Sequence, residues 1–107
     1  MNKSPIYDGK CPVINVLNIV GGKWRLPIIW HLKDEGMRYN ELKRQITGIT
    51  NIMLTRSLRD LEEAGLIHRI QYSTVPPHVE YRLTERAHKL VPAIDEIRKW
   101  GLMYYQD

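Results

Sequence analysis

Arg56 and Arg59 precede Asp60, Glu62 and Glu63 in the run N-I-M-L-T-R-S-L-R-D-L-E-E-A-G, residues 51–65, whose end the three carboxylates crowd. Read as a helix, the run carries Leu54, Leu58 and Leu61 within a narrow arc, flanked by Ser57 and Ala64. Ile52, Arg56, Arg59 and Glu63 then fall on the opposite face, with Thr55 beside them. A helix that only had to be stable would hold its charges the other way round, because the helix dipole favours anions first and cations last by roughly 0.3–1 kcal/mol per charge. The internal pairs Arg56–Asp60 and Arg59–Glu63 also have the weaker order, cation before anion. The layout makes sense if the first half meets phosphates and the acidic end faces away from them. A guanidinium bonds bidentately to a guanine edge or to a phosphate. Asn51 and Thr55 suit base edges or backbone oxygens, and the backbone N–H groups of Thr50 and Asn51 at the helix start suit a phosphate. Arg38, Lys43 and Arg44, a little upstream, are placed to make positioning contacts.

The elements that must hold these side chains are legible around them. Asn40 is a suitable cap for a short helix from Glu41 to about Ile46, with Leu42 and Ile46 inward, ended by Gly48. Thr50 then caps the helix that carries the arginines, and Gly65 stops it. Two period-2 stretches follow: Ile70 and Tyr72 alternate with Arg69 and Gln71, and Val79, Tyr81 and Leu83 alternate with His78, Glu80 and Arg82. Ser73 to Pro77 joins them as a tip stiffened by consecutive prolines. Two short helices, a tight turn and a two-stranded hairpin are the order of a winged helix-turn-helix, an α+β fold, with double-stranded DNA as the expected partner. The tip would be the wing. Its basic groups are spread out over His68, Arg69, His78 and Arg82, and the tip itself holds no lysine or arginine.

Flanking segments look built for association. Residues 1–10 mix Pro, Gly, Asn and charges and are expected to be loosely held, leaving 11–107 as one domain. Cys11 caps a first helix with Pro12 at its first position, running to about Val20 and ended by Gly21 and Gly22. Val13, Ile14, Val16, Leu17, Ile19 and Val20 make that helix apolar nearly all round, so it must be covered on more than one side. A second helix runs from Trp24 to Lys33, with Pro27 tolerable in its first turn. Thr84 caps a last helix striped by Leu90, Ile94, Ile97, Gly101 and Tyr104, widened by Ala93 and Trp100, in which Pro92 should cause a kink or break.

Composition is consistent with this reading. The chain has 107 residues, a formal charge of +4 and one cysteine. That is room for one core, a balance that favours a polyanion, and no internal disulfide, which fits a reducing cytoplasm. No apolar run approaches the ~20 residues of a membrane span, and no signal peptide is recognisable. His31, His68, His78 and His88 have no metal-ligand spacing with one another or with Cys11, no glycine-rich phosphate loop is present, and no nucleophile has an activating context, so neither metal, cofactor nor enzymatic activity is expected. His31 reads as an interior or interface residue, and Trp24, Trp30 and Trp100 as core. The alternative from another class is a winged helix that binds a protein partner and no DNA, which would show no salt-dependent nucleic-acid binding.

With these residues placed, the chain resembles the HxlR-type winged-helix transcriptional regulators of the MarR-like superfamily. The matching words are C-P-V at Cys11, G-G-K-W at Gly21, R-Y-N-E-L at Arg38, G-I-T at Gly48, L-R-D-L-E-E-A-G-L-I at Leu58, V-P-P-H-V-E-Y at Val75, L-T-E at Leu83 and W-G at Trp100. The similarity runs from Cys11 to Gly101. It implies a homodimer built from the first and last helices, with Val13, Val16, Leu17, Val20, Leu90, Ile94, Ile97, Trp100, Gly101 and Tyr104 at the interface. It implies a repressor-like regulator whose two recognition helices bind a near-palindromic operator. Two positions depart: His78 stands where the family commonly has Arg or Lys, which makes the wing contact weaker or pH-dependent, and Ala87 replaces a common glycine. Some members sense oxidants or electrophiles through a cysteine at the position of Cys11. An N-cap thiol beside Lys10 at the positive end of a helix is expected to favour thiolate, with small-residue packing as the other role open to it.

Overall fold

The computed structural model describes residues 11–105; the expected loose segment 1–10 lies outside them. The helices are α1 (Pro12–Val20), α2 (Arg25–His31), α3 (Tyr39–Gln45), α4 (Asn51–Glu63), α5 (Glu85–His88) and α6 (Val91–Tyr104), and the strands are β1 (Ile67–Tyr72) and β2 (His78–Leu83). β1 and β2 pair antiparallel from Ile67↔Leu83 to Tyr72↔His78, so residues 73–77 close the hairpin. The order α2–α3–α4–β1–β2 is the winged helix-turn-helix expected from the sequence.

Each element starts and stops for a local reason. Cys11 adopts extended backbone and Pro12 opens α1, where a missing N–H costs no intrahelical bond. α3 begins earlier than Asn40 suggests. Met37 is pinned to β2 by two bonds, its N–H to the Tyr81 carbonyl at 2.9 Å and the Tyr81 N–H to its carbonyl at 2.8 Å. Arg38 therefore becomes the cap, and the Glu41 side chain accepts from its backbone N–H at 2.8 Å. The Met37 bridge adds a short third rung to the sheet that sequence periodicity does not reveal.

The turn between α3 and α4 passes through Gly48 at φ +88°, a left-handed conformation that side chains resist. Thr50 accepts from the Met53 N–H at 3.1 Å and starts α4 as expected. At the other end Gly65 has φ +77°. Its N–H bonds the Glu62 carbonyl at 3.0 Å, and the Leu66 N–H bonds the Leu61 carbonyl at 2.9 Å, the paired closure of a Schellman motif. Thr84 ties the wing to this closure, donating from Oγ1 to the Gly65 carbonyl at 2.9 Å while it caps α5.

The last helical stretch is interrupted, one of the two outcomes expected at Pro92. Pro92 cannot donate to the His88 carbonyl, and its ring crowds that group, so α5 ends and α6 restarts after Leu90. The core is one cluster gathered from all helices and both strands. Ile28, Ile29, Leu42, Leu54 and Leu61 are fully enclosed, and Leu58, Leu66, Ile67, Leu83, Ala87 and Ile94 surround them. Among the described residues no helix is long and apolar enough to cross a membrane.

Candidate nucleic-acid interface

Burying Leu54, Ser57, Leu58 and Leu61 fixes which way α4 faces. Asn51, Ile52, Thr55, Arg56 and Arg59 are all exposed and line one shallow depression of about 320 Å³ on the outer side of the helix. Among the described residues neither Arg56 nor Arg59 has a carboxylate within ion-pair distance. Asp60, one turn beyond Arg56, is engaged elsewhere: Arg25 Nη2 donates to it at 2.6 Å, and Arg25 Nη1 donates to the Ile19 carbonyl at 2.7 Å. Arg25 thus clamps the end of α1 and the middle of α4 to α2. It occupies that carboxylate, while the Arg56 guanidinium stands at the surface.

Tyr39, which sequence reasoning passed over, sits behind this face. Its hydroxyl oxygen lies 3.1 Å from the Asn51 carbonyl, 3.2 Å from Asn51 Oδ1 and 3.1 Å from Thr55 Oγ1. The signal was in R-Y-N-E-L, but the later helix start expected at Asn40 put Tyr39 outside the helix that orients it. Arg38 stands exposed at the cap of α3, and Lys43 and Arg44 lie in its last turn, half-buried and exposed respectively. Thr50 spends its side-chain acceptor on Met53, so its part here begins as a structural one. Two further cations border the face. Lys23, held over the Trp24 ring at 4.7 Å, lines a depression it shares with Arg56. Exposed Arg69 on β1 lines another with Arg59.

The wing is more self-contained. His78 is half-buried, stacks on Tyr72 with ring centroids 4.7 Å apart, and places Nδ1 3.2 Å from Thr74 Oγ1. Arg82 Nε donates to Glu80 at 2.7 Å, and its contacts with the Tyr72 and Glu80 oxygens raise its pKa above the ordinary guanidinium value. These contacts order the hairpin and leave its tip without a cation.

α1 and α6 enclose an apolar groove of about 430 Å³. Val13, Leu17 and Ile97 on its walls are 65, 54 and 58% exposed. Val20 and Ile94 are buried within the subunit and form the floor, with Leu90 half-buried beside them. A second apolar hollow, lined by Val16, Ile19 and Leu66, flanks α1 on its other side. Trp24 and Trp30 pack against the core, but Trp100, expected there, is 56% exposed and sits against Tyr104 and Tyr105 with Gly101 half-buried beneath. Cys11, half-buried, stands at the entrance to α1.

A helix-turn-helix with cations on the outer face of its second helix is now placed, and sequence relatives agree with it. The HxlR-like helix-turn-helix family profile matches residues 19–107. The chain belongs to this family. An uncharacterized HTH-type transcriptional regulator from Methanothermobacter thermautotrophicus is 47% identical over 94 residues, 88% of this chain and 72% of that protein. YdeP from Bacillus subtilis, given the same description, is 47% identical over 98 residues, 92% of this chain and 76% of its own. Among solved structures, the redox regulator HypR in its oxidized form superposes with a TM-score of 0.85 at 41% identity, covering 91% of this chain and 100% of that one. A Porphyromonas gingivalis protein assigned to the MarR family reaches a TM-score of 0.87 at 44% identity, covering 97% and 99%. The winged-helix architecture of this HxlR-like chain is therefore shared with MarR-type regulators over nearly its whole described length.

Proposed function

We propose that this HxlR-like chain is a sequence-specific DNA-binding transcriptional regulator that acts as a homodimer on a near-palindromic operator. The observation that carries the reading is the outer face of α4, where Arg56 and Arg59 stand exposed beside Asn51 and Thr55 while Asp60 is drawn off by Arg25. Arg56 and Arg59 meet guanine edges or phosphates, Asn51 and Thr55 meet base edges, and Arg38, Lys43, Arg44 and the start of α4 at Thr50 position the duplex. His78 approaches the backbone from the wing. The apolar walls of α1 and α6 receive the same elements of a second copy, through Val13, Val16, Leu17, Leu90, Ile97, Trp100, Gly101 and Tyr104 over the floor of Val20 and Ile94. Repression in the cytoplasm is the proposed sense, since a dimer across two half-sites excludes other proteins from that duplex.

Titration of duplex fragments enriched from genomic DNA tests this directly. Binding should weaken steeply with salt as counterions are released. Arg56→Ala and Arg59→Ala should each weaken binding to an enriched fragment by about 10- to 100-fold, from roughly 1–3 kcal/mol per contact. Salt-independent binding, or two variants equal to wild type, would refute the reading.

Cys11 is proposed as a thiol through which oxidants alter operator affinity. The support is its partial exposure at the start of a helix that lines the dimer groove, and the likeness to HypR, a redox regulator. A thiol oxidant such as diamide should shift operator affinity of wild type and leave Cys11→Ser unchanged. Equal responses in both would remove the proposal.

A further inference from the structure

The Tyr39 hydroxyl sits within hydrogen-bond distance of three oxygens of α4. The Asn51 carbonyl and Asn51 Oδ1, at 3.1 and 3.2 Å, only accept, whereas Thr55 Oγ1, at 3.1 Å, either donates or accepts. One arrangement satisfies all of them: Tyr39 donates to Asn51, and the Thr55 hydroxyl donates to Tyr39. Both side chains then leave the protein with a fixed polarity. Asn51 turns its oxygen inward and its amide N–H groups outward as donors. Thr55 commits its proton inward and offers only lone pairs to the outside.

From this the geometry points to Tyr39 as a residue that sets base preference without touching a base: its hydroxyl orients Asn51 as a donor and Thr55 as an acceptor. The inference rests on α4 being the DNA-reading helix and says how that helix discriminates. A donor at Asn51 matches the acceptor atoms of guanine, adenine N7 or thymine O4 in the major groove. An acceptor at Thr55 matches the amino groups of cytosine or adenine. Without the hydroxyl, the Asn51 amide is released to present either end and the Thr55 hydroxyl regains its proton, so bases the wild type rejects become acceptable. Arg56 and Arg59 are bonded to neither group, so their phosphate attraction is unaffected.

The test selects duplexes from a randomised pool with wild-type protein and with Tyr39→Phe, then titrates each protein with the best wild-type duplex and with an unrelated duplex of equal length. Tyr39→Phe keeps the ring and its packing, so its thermal midpoint should stay within a few degrees of wild type. Its affinity for the unrelated duplex and its salt slope should also match. The ratio of selected to unrelated affinity should fall about tenfold, with the selected motif broadening at a few adjacent base pairs. Thr55→Val should cost less selectivity in the Tyr39→Phe background than alone, because the two act through one bond. A Tyr39→Phe protein that selects the wild-type motif with the wild-type ratio overturns the inference and leaves DNA reading by α4 intact. Should the thermal midpoint fall, additivity of Tyr39→Phe and Thr55→Val overturns it equally. Wild-type protein that enriches no motif at all overturns the DNA reading itself, and the role of Tyr39 with it.

Discussion

At the scale of single residues, what separates a working side chain from an ordinary surface charge is who answers it inside the molecule. Asp60 could have neutralised Arg56 from one helical turn away. It turns to Arg25 instead, and Glu41 turns to the backbone of Arg38. His31 shows the opposite case, a titratable group answered unfavourably. Partial burial, and then the charge of Lys33, hold its pKa below the ordinary value, against the pull of a helix C-terminus. The unfolded chain therefore binds a proton at about pH 6.5 that the folded chain resists. Stability rises with pH through that window, is complete above about 7, and is lost as the pH falls through the lowered value. Urea midpoints measured between pH 7 and 5 should fall more steeply for wild type than for His31→Gln. Parallel curves would show that His31 has no part in the acid branch.

Elements succeed or fail as sequence readings according to how local their causes are. The start of α4 at Thr50, its stop at Gly65 and its buried leucine stripe are each set within a few residues, and all three are legible in the chain. The start of α3 is not, because the bond that pins Met37 comes from Tyr81, far along the sequence. Distance along the chain also hid Arg25 as the partner of Asp60, 35 residues away, and the later start expected for α3 hid Tyr39 as a partner of Asn51 and Thr55. The interruption at Pro92 is local, like the ends of α4, since a proline removes the bond to the carbonyl four residues back. The Arg25 clamp makes a testable claim at this scale. Arg25→Met leaves a partly exposed carboxylate without its cation and the Ile19 carbonyl without its guanidinium donor, at a cost of about 1 kcal/mol in urea unfolding. Adding Asp60→Leu should recover most of that loss. No recovery would mean that Arg25 acts through packing alone.

At the scale of the whole molecule, the two faces of the chain complement each other: a polar, cationic face around α4 and an apolar groove between α1 and α6. Leu17 and Ile97 are 54 and 58% exposed, so covering what remains of each would stabilise a dimer by roughly 1–1.5 kcal/mol, about half the value for a fully exposed side chain. Leu17→Asp and Ile97→Asp should thus leave the fold intact and shift sedimentation from dimer to monomer, and operator affinity should fall with it. A dimer that survives both changes would place the interface elsewhere. Joining two copies through that groove has a geometric consequence for DNA, since half-sites must lie about 34–36 Å apart, one turn of the duplex, or a multiple of it. Selection from a randomised duplex pool, with wild type beside the Arg56→Ala/Arg59→Ala double variant, reads that consequence in one measurement. Wild type should enrich two inverted half-sites with centres 10–10.5 base pairs apart, or a multiple, and the double variant should enrich none. The same motif recovered by both proteins, or no motif from wild type, would contradict the assignment of α4 as the helix that reads DNA.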